Sequence, residues 1–398
     1  MNKDLSQGPI RKTLWLYCLP LLGSVILQQV YNLADSVVAG RFISEAALAA
    51  VGNASEITLI YTAFAMGCNM GCQVITSQLF GAKNYKGLKS AVSTACITFG
   101  VLCVMLMAFG YFCTSPILEA IKTPSDIMDD SVLYLKIYTL GVPFVFFYNI
   151  ATGIFSALGD SKTPFIFLAI SSVSNILVDI LFVAVFNMGV AGVAWATFIC
   201  QGLSAIFAMI FVLLRLKKLK SEKFQPYSLK LLKKLSIIAI PSILQQSFIS
   251  VGNIIIQSVV NGYGSSVVAG FTAAMKLNNI AVACAFAIAS GLSAFFAQNV
   301  GAETYDRLKK GYWEGNYFAW LIIIPFALVY IFLGKFGVQL FLDDGATELA
   351  LSTGSLILKS IAPFYIIVSF KVITDGALRG AGAMKLFMID TFFDLGLR

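Results

Sequence analysis

Along the chain, hydrophobic positions gather into long unbroken runs, and polar ones into short joints between them. The runs predict membrane spans at 14–38, 46–79, 91–114, 132–157, 164–186 and 190–214. After a long polar stretch they resume at 235–261, 267–299, 312–333 and 351–377, with one more opening near 384. Each of the ten complete runs reaches the roughly 20 residues that an α-helix needs to cross the hydrocarbon of a bilayer.

The pattern repeats itself. PLLGSVILQQVYNLADSVVAG, beginning at Pro20, returns 221 residues later as PSILQQSFISVGNIIIQSVVNG, beginning at Pro241. Asn32 then falls on Asn253, whereas Asp35 falls on Ile256. After a slip of one residue, an offset of 220 pairs Gly71 with Gly291, Gln78 with Gln298, Tyr85 with Tyr305 and Lys89 with Lys309. The same offset pairs Pro143 with Pro363 and Ala157-Leu158 with Ala377-Leu378. The predicted organisation is a six-helix N-lobe over 1–214, a basic cytoplasmic linker over 215–234 and a C-lobe over 235–398. An even number of helices per unit makes the two copies parallel repeats about an axis along the membrane normal. At this offset the second copy would run past residue 398, so the C-lobe is expected to hold four helices and the start of a fifth, truncated at its C-terminus.

Composition agrees with this reading. Of 398 residues 58% are hydrophobic and 12% charged, and the mean hydropathy is +0.84. Soluble domains carry about 25% charged residues. The net charge of +8 is read as topology, not as nucleic-acid binding, because the basic residues sit in the joints. The N-terminus, Lys83/Lys86/Lys89, Asp160/Lys162, the linker, Arg307/Lys309/Lys310 and Arg379/Lys385 fall on one side, and Glu119, Asp126, Asp129, Asp130, Asp343, Asp344 and Glu348 on the other. The positive-inside rule then makes both termini of a complete chain cytoplasmic, in a multi-pass protein of the cell membrane. The start is polar and basic and the first run has spanning length, so that helix is read as a retained anchor. The eight cysteines lie in or beside apolar segments and are read as packing residues.

Histidine is absent, and there is no phosphate-binding loop or nucleophile turn, which argues against an enzyme and against nucleotide-driven pumping. Proton or cation chemistry is left to carboxylates, and no cofactor is expected. Ionisable groups inside spans are costly and mark functional positions. Asp35 in the first span is the leading candidate. Asp179 is the second, with Asn175 one turn before it on the same face. The bland alternative for each is a hydrogen bond to a helix neighbour. Asp375, four residues after Lys371, most simply forms an ion pair, and Glu56, Lys276 and Glu314 are read as structural contacts. The amides Gln28, Gln29, Asn32, Gln245, Gln246 and Asn253 are candidates either to line a substrate cleft, together with Tyr138 and Asp375, or to hold helices together. Gly67 and Gly71 make a GxxxG pair suited to close packing, and Pro20 and Pro241 are positions for helix bending.

YNLADSVVAG in the first span, SQLFGAKNYKGLK after the second, GIFSALGDSKTPF after the fourth and NILVD in the fifth together resemble the multidrug and toxic compound extrusion (MATE) transporters of the multidrug/oligosaccharidyl-lipid/polysaccharide exporter superfamily. The resemblance covers essentially the whole chain. It implies an all-α membrane protein of twelve helices in two six-helix lobes forming a V, exporting amphipathic organic cations in antiport with Na+ or H+. It implies a cation site of Asp35, Asn175, Asp179 and Thr197, with Tyr134 or Tyr138 matching a fourth-helix tyrosine. One departure is that the seventh span holds no acid, where another branch of the family has a glutamate. The expected partners are a small amphipathic or cationic molecule and the bilayer, for a monomer that binds no nucleic acid. The rival readings are a lipid-linked oligosaccharide flippase, which would want basic groups in its central cleft, and a channel, which would want a filter or ring of charge.

Overall fold

The computed structural model describes residues 3–42, 45–121, 123–221, 223–342 and 347–397; the side chains at 31–42, 45–49, 53, 55, 56, 254, 261, 265, 395 and 397 lie outside the description. Every regular element among these residues is helical. The elements are α1 (Ile10–Phe42), α2 (Glu45–Gly81), α3 (Tyr85–Ala120), α4 (Met128–Leu140), α5 (Val142–Ala157), α6 (Lys162–Ile180), α7 (Gly189–Lys218), α8 (Leu229–Asn261), α9 (Ser265–Gly301), α10 (Asp306–Gln339), α11 (Glu348–Ile361), α12 (Tyr365–Ala381) and α13 (Met384–Leu397). Among the described residues nine helices are long and apolar enough to cross a membrane, or ten if α4 and α5 count as one bent span. The chain is a multi-pass, all-α membrane protein. Lipid offers no hydrogen bonds, so each crossing segment must satisfy its backbone internally, which helices do.

The 132–157 run, read as one span in sequence, is broken at Gly141 into α4 and α5, which meet at 45°. Pro143 starts α5, where its missing N–H costs nothing. Its repeat partner Pro363 sits in a 3-10 turn, Ala362–Phe364, between α11 and α12. The two copies also turn alike after α2 and α9. Lys83 and Glu303, 220 residues apart, both adopt left-handed backbone, at φ 55° and 57°. The amides of Asn84 and Thr304 then close back on the carbonyls of Leu79 and Asn299, at 2.9 Å each.

By packing, the chain divides into two compact units, one of Met1–Asp4 and Leu27–Leu244, the other of Leu5–Ile26 and Gln245–Arg398. The divisions therefore fall inside α1 and α8, whereas the sequence repeat breaks in the linker. Small residues permit this. In the first unit Gly67 and Gly71 of α2 lie against Ile243, Ala239 and Leu235 of α8. In the second, Gly291 of α9 lies against Cys18, Leu21 and Tyr17 of α1. Without a hydrophobic drive between helices in lipid, such close approach supplies the dispersion that holds them.

Each unit is built around a buried helix pair. α2 packs on α5, with Gly153 meeting the backbone of Asn69. α9 packs on α12, with Gly376 meeting Ala289 and Gly380 meeting Ser293. Outward faces keep large apolar side chains such as Phe112, Phe332 and Leu340, as lipid-facing helices do.

In the second unit, Gln298 accepts from the Leu5 amide at 2.7 Å, and Arg307 donates to the Gly8 carbonyl at 3.0 Å, which fixes the entry into α1. In the first unit the linker is fixed the same way, by Ser90 and Thr94 of α3 accepting from the amides of Gln225 and Ser228, at 3.1 Å each.

Candidate functional site

In the first unit, Asn175 and Asp179 stand one turn apart on α6 and are buried, Asp179 completely. α7 runs back alongside. Ser171 donates to the Cys200 carbonyl at 3.4 Å, and Gly192 lies against Phe182. These two contacts set the register and bring Thr197, also buried, level with Asn175. A carboxylate, an amide and a hydroxyl thus sit in adjacent turns of two packed helices. Immediately beyond Asp179 the helix widens into a π turn, Leu181–Val185, before the chain reverses at Asn187. Such π turns interrupt the regular ladder and often lie at functional positions.

Asp35 and Asn32 belong to α1, but their side chains lie outside the described residues, as does that of Glu56; Asp343 and Asp344 lie outside entirely. Gln28 is exposed and Gln29 half-buried on the part of α1 that belongs to the first unit. Tyr138 is half-buried, its hydroxyl meeting Thr58 and Thr62 of α2, and its ring stacks on the buried Tyr134 at 6.3 Å. Pro20 and Pro241 are inside continuous helices, and Ser24 donates to the Pro20 carbonyl at 2.9 Å.

The second unit gathers a different set. Gln245 is buried and donates to Asp375 Oδ2 at 2.9 Å, while Gln246 is half-buried and Asn253 exposed. Lys371 donates to the same oxygen at 2.8 Å, the i,i+4 pair that the spacing predicts. α13 adds what the sequence reading missed. Asp390 and Asp394 also approach the Lys371 ammonium, at 3.4 and 3.7 Å. Their own spacing of four was the available signal, but it lay at the edge of the last apolar run, where no span was complete. Glu314 pairs with Arg11 at 2.8 Å and Lys276 lies over Phe341, so both hold structure. Asp160, assigned to a loop by its charge, is buried: it accepts from Arg215 at 2.9 Å and from the Thr163 hydroxyl at 2.7 Å and amide at 3.1 Å, capping α6.

Internal repeats of membrane helices with buried polar and ionic groups recur among secondary transporters. The profile of the MatE family matches residues 20–181 and 241–398, and the chain belongs to that family. It is 31% identical over 392 residues to the probable multidrug resistance protein YpnP of Bacillus subtilis, covering 97% of this chain and 86% of that one. It is 30% identical to the probable multidrug resistance protein YoeA of the same organism, over 87% of this chain and 77% of the other. Among solved structures, a MOP superfamily transporter from Pyrococcus furiosus shares the fold at a TM-score of 0.92 and 20% identity, covering 98% of this chain and 87% of that one.

Proposed function

We propose that this chain is a secondary-active multidrug exporter, moving amphipathic or cationic organic molecules in exchange for Na+ or H+ by alternating access. It would act in the cell membrane, with the basic joints on the cytoplasmic side. The relatives named as multidrug resistance proteins support the substrate class. The observation that carries the ion coupling is Asp179: a carboxylate with no exposed surface, one turn from the buried amide of Asn175, which the buried Thr197 faces from α7. A carboxylate buried in a span is costly to keep ionised, and a bound cation or proton offsets that cost. Binding of that ion by Asp179, Asn175, Thr197 and Asp35 would favour one state of the transporter, and the gradient would return it. Moving one charge through the membrane potential is worth about 2.3 kcal/mol per 100 mV, enough to bias a two-state equilibrium.

The test is export of a fluorescent organic cation from proteoliposomes holding the protein, under an imposed Na+ gradient and, separately, an imposed pH gradient. The reading expects one gradient to drive export and thereby names the ion. Movement of dye down its own gradient, indifferent to both ions, would contradict it.

A further inference from the structure

Within the second unit, α9 and α10 leave between them an apolar groove of about 660 Å³. Leu277 and Ile280 line it from α9, and Pro325, Val329, Leu333 and Phe336 from α10. Polar side chains enter the lining at two places. Tyr330 is one, but it is buried and its hydroxyl donates to the Leu277 carbonyl at 2.7 Å, so that group is spent inside the protein. Gln339, at the far end, is the other. An occupant of the groove between them meets hydrocarbon.

The groove has the depth of one leaflet. Lys335 pairs with Glu348 at 2.7 Å, both exposed, and marks the water boundary at this end of α10. Pro325 lies ten residues deeper, about 15 Å at 1.5 Å per residue, which is half of the roughly 30 Å of bilayer hydrocarbon. The groove therefore runs from the middle of the bilayer up to the headgroups. Its upper end carries a cation. Lys276 stands one turn above Ile280 on α9, exposed, with its ammonium over the ring of Phe341 at 5.9 Å, just past the lining residues Gln339 and Leu340. Unlike Lys335, it makes no ion pair among the described residues. An ammonium at the mouth repels an organic cation and attracts a phosphate, while the apolar length below gains dispersion from a hydrocarbon chain. Those two features together describe a lipid.

We propose that the groove between α9 and α10 is a binding site for an anionic glycerophospholipid, one acyl chain lying along α10 from Phe336 down to Pro325 and the headgroup phosphate pairing with the Lys276 ammonium. On the sidedness proposed above, the lipid belongs to the outer leaflet. The site lies in the second unit, apart from the Asn175, Asp179 and Thr197 set, and stands without the ion-coupled reading of export.

The test uses a phosphatidylglycerol with a photoactivatable diazirine in one acyl chain, present at low mole fraction in phosphatidylcholine liposomes that hold the full protein. After illumination, the labelled peptides are mapped by mass spectrometry. The expected result is label concentrated on the groove segments of α9 and α10, well above that on the lipid-facing side of α3 around Phe112. Unlabelled phosphatidylglycerol should displace it, and a fluorescent organic cation should not. Lys276→Gln should lower the groove label about fivefold, the worth of one lysine at an anionic membrane surface, and Lys276→Arg should retain it. Leu333→Trp, which fills the groove from an exposed position, should remove it. Label spread evenly over α3 and α10, label indifferent to Lys276→Gln or to Leu333→Trp, or label displaced by the organic cation would overturn the proposal, the last by making the groove a substrate site. Lys276 and Leu333 are both exposed and act at opposite parts of the lipid, so either variant decides if the other fails to fold. The labelling needs no transport, so a protein that exports nothing but keeps the label would sink the export reading alone.

Discussion

Asp160 and Asp179 are both buried aspartates of the first unit, and their neighbours give them different work. Asp160 closes a local structure, accepting from Arg215 and from the first turn of α6. Replacing it with alanine removes an ion pair and a helix cap together. The loss should lie toward the lower end of the about 3–5 kcal/mol typical of broken buried pairs, because Arg215 is 24% exposed. A lowered thermal melting midpoint of the purified protein checks it, and an unchanged midpoint would refute it. Thr197 offers one hydroxyl at the level of Asn175. Thr197→Val should leave the melting midpoint nearly unmoved while weakening the driving ion by about tenfold, the equivalent of one ligand at about 1.4 kcal/mol. The readout is the ion concentration that half-saturates transport. The sequence made Asn175 and Asp179 legible because spacing of four on a helix needs no tertiary knowledge. Thr197 came only from resemblance, since facing residues on separate helices depend on register. Asp160 was legible as a residue of the joint between two spans, but its burial and its partner Arg215, 55 residues away, were not.

At the scale of elements, glycine sets how closely helices meet. A methyl at Gly71 would stand 2.8 Å from the Leu235 carbonyl and 3.0 Å from the Ala239 side chain. At Gly291 it would press on Cys18. Gly71→Leu and Gly291→Leu should each destabilise the fold by about 1–3 kcal/mol or more, as overpacked interiors do. Equal melting of variants and wild type would show that the helices have room to part. The GxxxG pair was visible in sequence, yet its partner was not: that α2 receives α8, rather than another helix of its own repeat, is a property of packing. The run 132–157 was likewise legible as a span but not as a bent pair, because hydropathy is blind to the break that Pro143 and Gly141 introduce. Pro20 and Pro241 each leave one carbonyl of their helix without its usual donor. Pro20→Ala and Pro241→Ala should keep or raise stability, while slowing turnover if bending there is part of the cycle. Slower turnover with an unchanged ion requirement is the expected outcome, and unchanged turnover in both variants would remove bending from the account.

Over the whole molecule, apolar runs and charged joints were enough to read an all-α membrane protein from sequence, because the bilayer fixes span length and backbone satisfaction. They also predict sidedness. In a variant lacking the native cysteines, a cysteine at Ser221 should react with an impermeant thiol reagent only from the cytoplasmic side, and one at Ser125 only from outside. The reverse labelling would invert the topology. Less legible was how polar groups are shared between the two copies. The repeat matches residue by residue, but one copy holds a carboxylate beside an amide and a hydroxyl, and the other a lysine among three aspartates. The central claim is that the first of these couples an ion to export. Its most direct test is gradient-driven export of an organic cation from proteoliposomes, with wild type beside Asp179→Asn and Asp35→Asn at matched protein content. The account predicts export driven by Na+ or by pH in wild type and its loss in both variants, with their melting midpoints close to that of wild type. Equal gradient-driven export by Asp179→Asn would contradict it.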